Sequence, residues 1–164
     1  MIALLNASYP GVQISVLDIG ARLGLVDFGY EELKLIDNLY LEGIEPDERE
    51  ARRLEEDPTL GPYKKVYSVA VGEKKAFHSL YMTKLKGCAS IREPLTEKIQ
   101  SYSCSPWFEK DYEIPISVTP LDDLYAKESF KPFDFVKIDV QGAEMEVLLG
   151  GNRVVSSSLG ITIE

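Results

Sequence analysis

Short apolar runs alternate with polar, helix-like stretches along this chain, the pattern of an α/β domain with a largely parallel sheet. Parallel strands buried on both faces read as continuous apolar runs rather than strict alternation. The first such run is ISVLDI, 14–19, and it ends in a glycine-bearing turn at 20–24. A helical stretch is expected within 30–38, where Leu33, Leu35 and Ile36 supply an apolar side. A second strand at 39–44 carries Glu45 at its carboxyl end, and Pro46 breaks it. Asp47 and Glu50 then read as a capping box that opens a helix to about residue 56, closed by Asp57, Pro58 and Gly61.

A third strand is expected at 66–71. The stretch 76–82 has β character with no strong helix signal before it, so it reads as an antiparallel insertion, part of a small β insertion around 72–118. Within that insertion 87–94 reads as a loop, 95–102 as a short helix and 114–118 as a strand. Thr119 as N-cap with Pro120 at the first helical position starts a helix through Leu124. The fourth core strand spans 133–140, and Gln141 and Gly142 make a tight exit into a helix at 143–149 that Gly150 and Gly151 end. The fifth strand begins at Leu159 and is still running at Glu164. The expectation is therefore one domain, 1–164, cut short after strand five as a piece of a longer protein.

Composition narrows the partners. With 164 residues, 45% hydrophobic and 27% charged, there is ample material for one core. Lys plus Arg is 18 against 27 Asp plus Glu, a formal net charge of −9. Such a chain lacks the positive field that nucleic acid or an anionic membrane surface requires. No apolar run of roughly 18 residues is present, and the first residues carry no basic segment of the secretory type. The two cysteines, Cys88 and Cys104, make neither a disulfide framework nor a metal cluster and read as reduced thiols, so the expected compartment is cytoplasmic.

Three features carry candidate chemistry. In Asp18-Ile19-Gly20-Ala21-Arg22-Leu23-Gly24 an acid at a strand's carboxyl end precedes glycines that let a ligand approach backbone. Arg22 occupies the middle glycine position of G-x-G-x-x-G, which argues against a dinucleotide fingerprint. Glu45, 27 residues after Asp18, can accept hydrogen bonds from both hydroxyls of a ribose. In the strand FDFVKIDV, Lys137 and Asp139 share a face, and a charged pair there is costly unless paired or used. The plain alternatives are a tight turn without ligand, a solvated acid, and an ion pair of Lys137 with Asp139 or Glu144.

Together VLDIGARLG, GIEPDE, VTPLDDL and FDFVKIDVQGAEMEVLLGG resemble the FkbM family of S-adenosylmethionine-dependent methyltransferases, from about Ile14 to Glu164. The resemblance implies a Rossmann-like class I methyltransferase fold, an α/β three-layer sandwich with a mostly parallel central sheet, holding S-adenosyl-L-methionine. It implies O-methylation of a hydroxyl on a small molecule or saccharide. Asp18, Gly20, Ala21, Arg22 and Gly24 match the first cofactor motif, Glu45 and Pro46 the ribose-binding position, and Asp139 and Gln141 the tip of strand four. Arg22 stands where Asn is usual and Gln141 where Glu is frequent. Arg and Gln can still offer polar contacts at those positions, and the alternative for Arg22 is a salt bridge to a carboxylate.

A sulfonium donor carries its own reactivity, so the protein mainly aligns donor and acceptor. Asp139 is the first candidate general base and Glu144 the second. His78, the single histidine, reads as a surface or packing residue, and no spacing suits zinc. Mg²⁺ would find hard ligands only around Asp139. The charge-dense 47–57 stretch reads as a solvated helix face, Trp107 and Phe108 as packing or a lid, and Gly87 to Ser90 as cleft lining. Two other function classes remain open at this level: a non-catalytic module that keeps the fold, and a nicotinamide-dependent oxidoreductase.

Overall fold

Four parallel pairings build the centre of the molecule. Strand β1 (Ile14–Ile19) lies between β2 (Leu39–Ile44) and β7 (Phe135–Ile138), with β3 (Tyr63–Tyr67) beyond β2 and β8 (Gly160–Ile163) beyond β7. The order β3-β2-β1-β7-β8 is parallel throughout. The structure is a computed structural model and describes residues 2–26, 30–128 and 131–164.

Side-chain alternation along β1 sorts the core into two halves. Leu17 and Ile19 face Leu121, Leu124, Val147 and Val154 from α4 (Leu121–Glu128), α5 (Glu144–Gly150) and α6 (Asn152–Ser156). Val16 faces the other way, toward Leu25, Leu60, and Ala51 and Leu54 of α2 (Glu48–Glu56). The result is the expected α/β architecture, helices on both faces of a parallel sheet. A short helix not anticipated from the sequence, α1 (Ile2–Ser8), precedes β1.

Between β3 and α4 the chain builds a second sheet, β4 (Ala70–Val71), β6 (Lys110–Thr119) and β5 (Ala76–Thr83), in the order β4-β6-β5. The β5–β6 pairing is antiparallel, as expected of the insertion. The single strand expected at 66–71 is in fact two. Its first part joins β2, and Val69 N–H bonds back to Tyr67 O at 2.9 Å, a tight step that sends Ala70 into the second sheet. A continuous apolar run does not reveal which sheet each half joins.

Other boundaries move for identifiable reasons. The 30–38 stretch forms a 3₁₀ helix, Tyr30–Leu35, rather than an α-helix. Pro120 O accepts from Leu124 N–H at 3.1 Å, so Pro120 is itself the N-cap of α4 and Thr119 still belongs to β6. Only half of the capping box forms. Asp47 accepts from Arg49 N–H at 3.1 Å, but Glu50 pairs with Arg53 one turn on. The 87–94 loop includes part of a 3₁₀ turn (Lys86–Cys88), and the short helix is α3 (Thr96–Ile99). No helix among the described residues is long and apolar enough to cross a membrane.

Candidate functional site

The carboxyl ends of β1, β2 and β7 open into one cavity with about 750 Å³ of atom-free space, counted to its open mouth. Ligands in open parallel sheets bind at this end, where the strand order reverses. Gly20, Arg22 and Gly24 line it from the first turn, Glu45 and Pro46 from the second, and Lys137, Asp139 and Gln141 from the third. Its walls are Val69, Ala70, Val71 and Leu80 on one side and Lys86, Gly87, Ala89, Ser90 and Ile91 on another. Gly87 to Ser90 thus contribute as expected, apart from Cys88, whereas 69–71 was legible only as strand.

Gly20 makes the convergence possible. Its φ is +80°, and a Cβ there would lie 1.8 Å from the carbonyl oxygen of Asp139. Two strand exits touch at this point, with Asp139 N–H bonded to Ile19 O at 2.9 Å. Gly24 repeats the device at φ +66°, its absent Cβ replaced by Leu60 O.

Asp18 lies beneath the cavity rather than on its wall. Its carboxylate is wholly buried and accepts from Tyr63 Oη at 2.6 Å and from Lys137 Nζ at 3.0 Å. Side-chain parity with Val16 turns the Asp18 carboxylate toward the α2 face, and it is the backbone after Asp18, from Gly20, that lines the cavity. Of the two ion pairs expected for Lys137, the one with Asp139 is present and the one with Glu144 is absent among the described residues, while a shorter pair was not anticipated. That main partner is Asp18, and Asp139 Oδ2 lies 3.8 Å away. Burial pulls the Lys137 ammonium down, but Asp18 and then Asp139 outweigh it and hold the group above the usual lysine range. Burial and the Asp18 charge push the Tyr63 phenol far up.

Asp139 is oriented from two directions. Gln141 Nε2, on a residue with the unusual φ of +57°, donates to Oδ1 at 2.6 Å, and Lys137 Nζ lies 3.8 Å from Oδ2. Glu144 is turned away from the cavity and accepts from Val140 N–H at 3.2 Å and Gly142 N–H at 2.9 Å. It ties the strand exit to α5. Ala21 is buried behind the lining. His78 is exposed on β5, and Trp107 is about half exposed. Among the described residues no group of three or more His, Cys, Asp or Glu is placed to hold a metal ion.

Glu45 is 3% exposed, and its Oε1 accepts from Asp47 N–H at 2.8 Å and from Arg22 Nη1 at 3.4 Å. Among the described residues both bonds use Oε1, which leaves Oε2 available to a further donor. Burial outweighs the Arg22 charge and raises the Glu45 carboxyl from 4.5 to about 7. The folded chain therefore binds a proton that the unfolded chain has released between those values. This group's stabilising contribution is full below pH 4.5 and is lost as pH rises through 7, a change of about 3 kcal/mol. Glu45→Gln should flatten that part of the stability profile. Urea unfolding at pH 5 and pH 8 checks it, and an unchanged slope in the variant would remove the assignment.

The methyltransferase FkbM domain family matches residues 18–164. A curated relative, 2-O-methyltransferase NoeI from Sinorhizobium fredii (strain NBRC 101917 / NGR234), is 27% identical over 158 residues, which are 91% of this chain and 62% of that protein. A crystal structure of methyltransferase FkbM from Methylobacillus flagellatus KT superposes with a TM-score of 0.52 at 18% identity, over 92% of this chain and 32% of that one. The chain thus spans less than two thirds of the relative's length and about a third of the structural neighbour's.

Proposed function

We propose that this chain, which belongs to the FkbM methyltransferase family, binds S-adenosyl-L-methionine in the cavity at the β1, β2 and β7 tips and serves methyl transfer to a hydroxyl of a small molecule or saccharide. The observation that carries this reading is Glu45, a buried carboxylate with one oxygen uncommitted on the wall of that cavity. A vicinal diol supplies the two hydroxyl donors such an acceptor lacks.

The rest of the cavity fits the same ligand. Ile44, Val69, Val71, Leu80 and Ile91 give it apolar walls suited to a purine face. Gly20 lets a ligand lie against bare backbone. The donor, when bound, supplies an activated methyl group for in-line displacement. The protein's part is alignment and water exclusion, with Asp139 placed to accept the hydroxyl proton of the acceptor. Gln141 and Lys137 steady that carboxylate, and Glu144 holds the turn that carries it. Similarity to NoeI, a 2-O-methyltransferase, supports a hydroxyl acceptor.

Calorimetric titration with S-adenosylhomocysteine tests the reading. Wild type should release or absorb heat with one-site stoichiometry. Glu45→Ala should weaken binding by about 1.5–3 kcal/mol, the range for hydrogen bonds to a charged group. No binding by the wild-type chain would overturn the proposal.

A further inference from the structure

Arg22 stands where the first turn of the cavity meets the second, and its guanidinium is nearly buried. Nη1 reaches Glu45 Oε1 at 3.4 Å and Nη2 reaches Asp47 Oδ2 at 3.0 Å. Asp47 N–H donates to the same Glu45 oxygen, and Asp47 also caps α2 through Arg49 N–H. One cation therefore serves two buried carboxylates that sit two residues apart. The planar fork of arginine can span both, which a point charge cannot do in the same geometry.

We infer that Arg22 is a positioning residue that acts through Glu45, joining the two carboxylates after β2 so that Glu45 meets a vicinal diol as a charged, oriented acceptor. This inference rests on the reading of Glu45 as the diol acceptor. It adds the consequence that ligand affinity depends on pH through Arg22. The groups facing Glu45 are Arg22 from the first turn and Asp47 and Glu50 from the start of α2. Lys86, Lys137 and Asp139 share the cavity lining with it. Burial favours the protonated acid and Arg22 opposes it, while Asp47 and Glu50 add repulsion. The balance lies near neutrality, so the 22–45 pair decides whether the acceptor is charged at working pH.

Two measurements on the full chain separate the outcomes, using wild type, Arg22→Asn and Arg22→Lys, each checked for a folded melting transition. The first follows the Glu45 carboxyl carbon by NMR titration without ligand, assigned by its loss in Glu45→Gln. Arg22→Asn should move its midpoint upward by about one pH unit or more, with Arg22→Lys between that variant and wild type. The second measures the Kd of S-adenosylhomocysteine from pH 5.5 to 9. Wild-type affinity should fall below pH 7, and in Arg22→Asn the fall should begin at higher pH, so that the deficit shrinks toward pH 9. A deficit of the same factor at every pH, or a Glu45 midpoint that stays in place, would overturn the role of Arg22. Absence of wild-type binding at every pH defeats the ligand reading instead, and the ligand-free titration still decides whether Arg22 governs Glu45.

Discussion

Lys137→Ala is expected to destabilise the fold by about 3–5 kcal/mol, the range for removing one partner of a buried ion pair. The ammonium lies 3.0 Å from Asp18 Oδ1 in the middle of the sheet, and Asp18 has no exposed surface. Without Lys137 that carboxylate keeps, among the described residues, only the Tyr63 hydroxyl. It would have to take up a proton or let water into the layer between sheet and α2. The charge itself is not what stability requires. Asp18→Asn with Lys137→Met keeps an acceptor for Tyr63 and removes both charges, so the pair should recover most of the loss. Urea unfolding of Asp18→Asn, Lys137→Met and the double variant measures this coupling. Additive losses would show that the pair does not interact. The folded-state ammonium titrates above its ordinary value. Its contribution is therefore full below the unfolded lysine value of about 10.4 and is lost only as pH rises through the higher folded value.

Gly20→Ala is the second large effect, expected at about 3 kcal/mol or more. A left-handed backbone costs an alanine roughly 1–2 kcal/mol, and overpacking typically adds about 1–3 kcal/mol. Here the added methyl would fall 1.8 Å from the Asp139 carbonyl, and a backbone atom cannot swing aside as a side chain would. Relief requires β1 and β7 to separate at their tips, which breaks the Asp139 N–H to Ile19 O bond. The cavity is formed by that contact, so ligand affinity should fall together with the melting temperature. Gly11→Ala is the control. It has a similar positive φ but open space around the added carbon, so it should show the conformational cost alone.

The parts legible in the sequence were those with a local cause. ISVLDI, the Glu45–Pro46 strand end and the Gln141–Gly142 exit each combine an apolar run with a residue that ends it, and each became a strand tip on the cavity. The parts that stayed hidden depend on contacts distant in the chain. Tyr63 meets Asp18 from 45 residues away and Lys137 meets it from 119, and no spacing rule connects them. The 66–71 run has the same apolar character whether its halves share a sheet or divide between two. A carboxylate partner for Arg22 was legible, but not which one, because Glu45 and Asp47 lie in the next strand turn. Sequence patterns place the backbone of such a site well, but parity and pairing decide where its charges point.

The account turns on one acceptor, and a crystal structure of the chain with S-adenosylhomocysteine bound tests it most directly. The expected result is both ribose hydroxyls within hydrogen-bond distance of the Glu45 carboxylate, in the cavity at the β1, β2 and β7 tips. A ligand seated elsewhere on the surface, or a ribose turned away from Glu45, would contradict it.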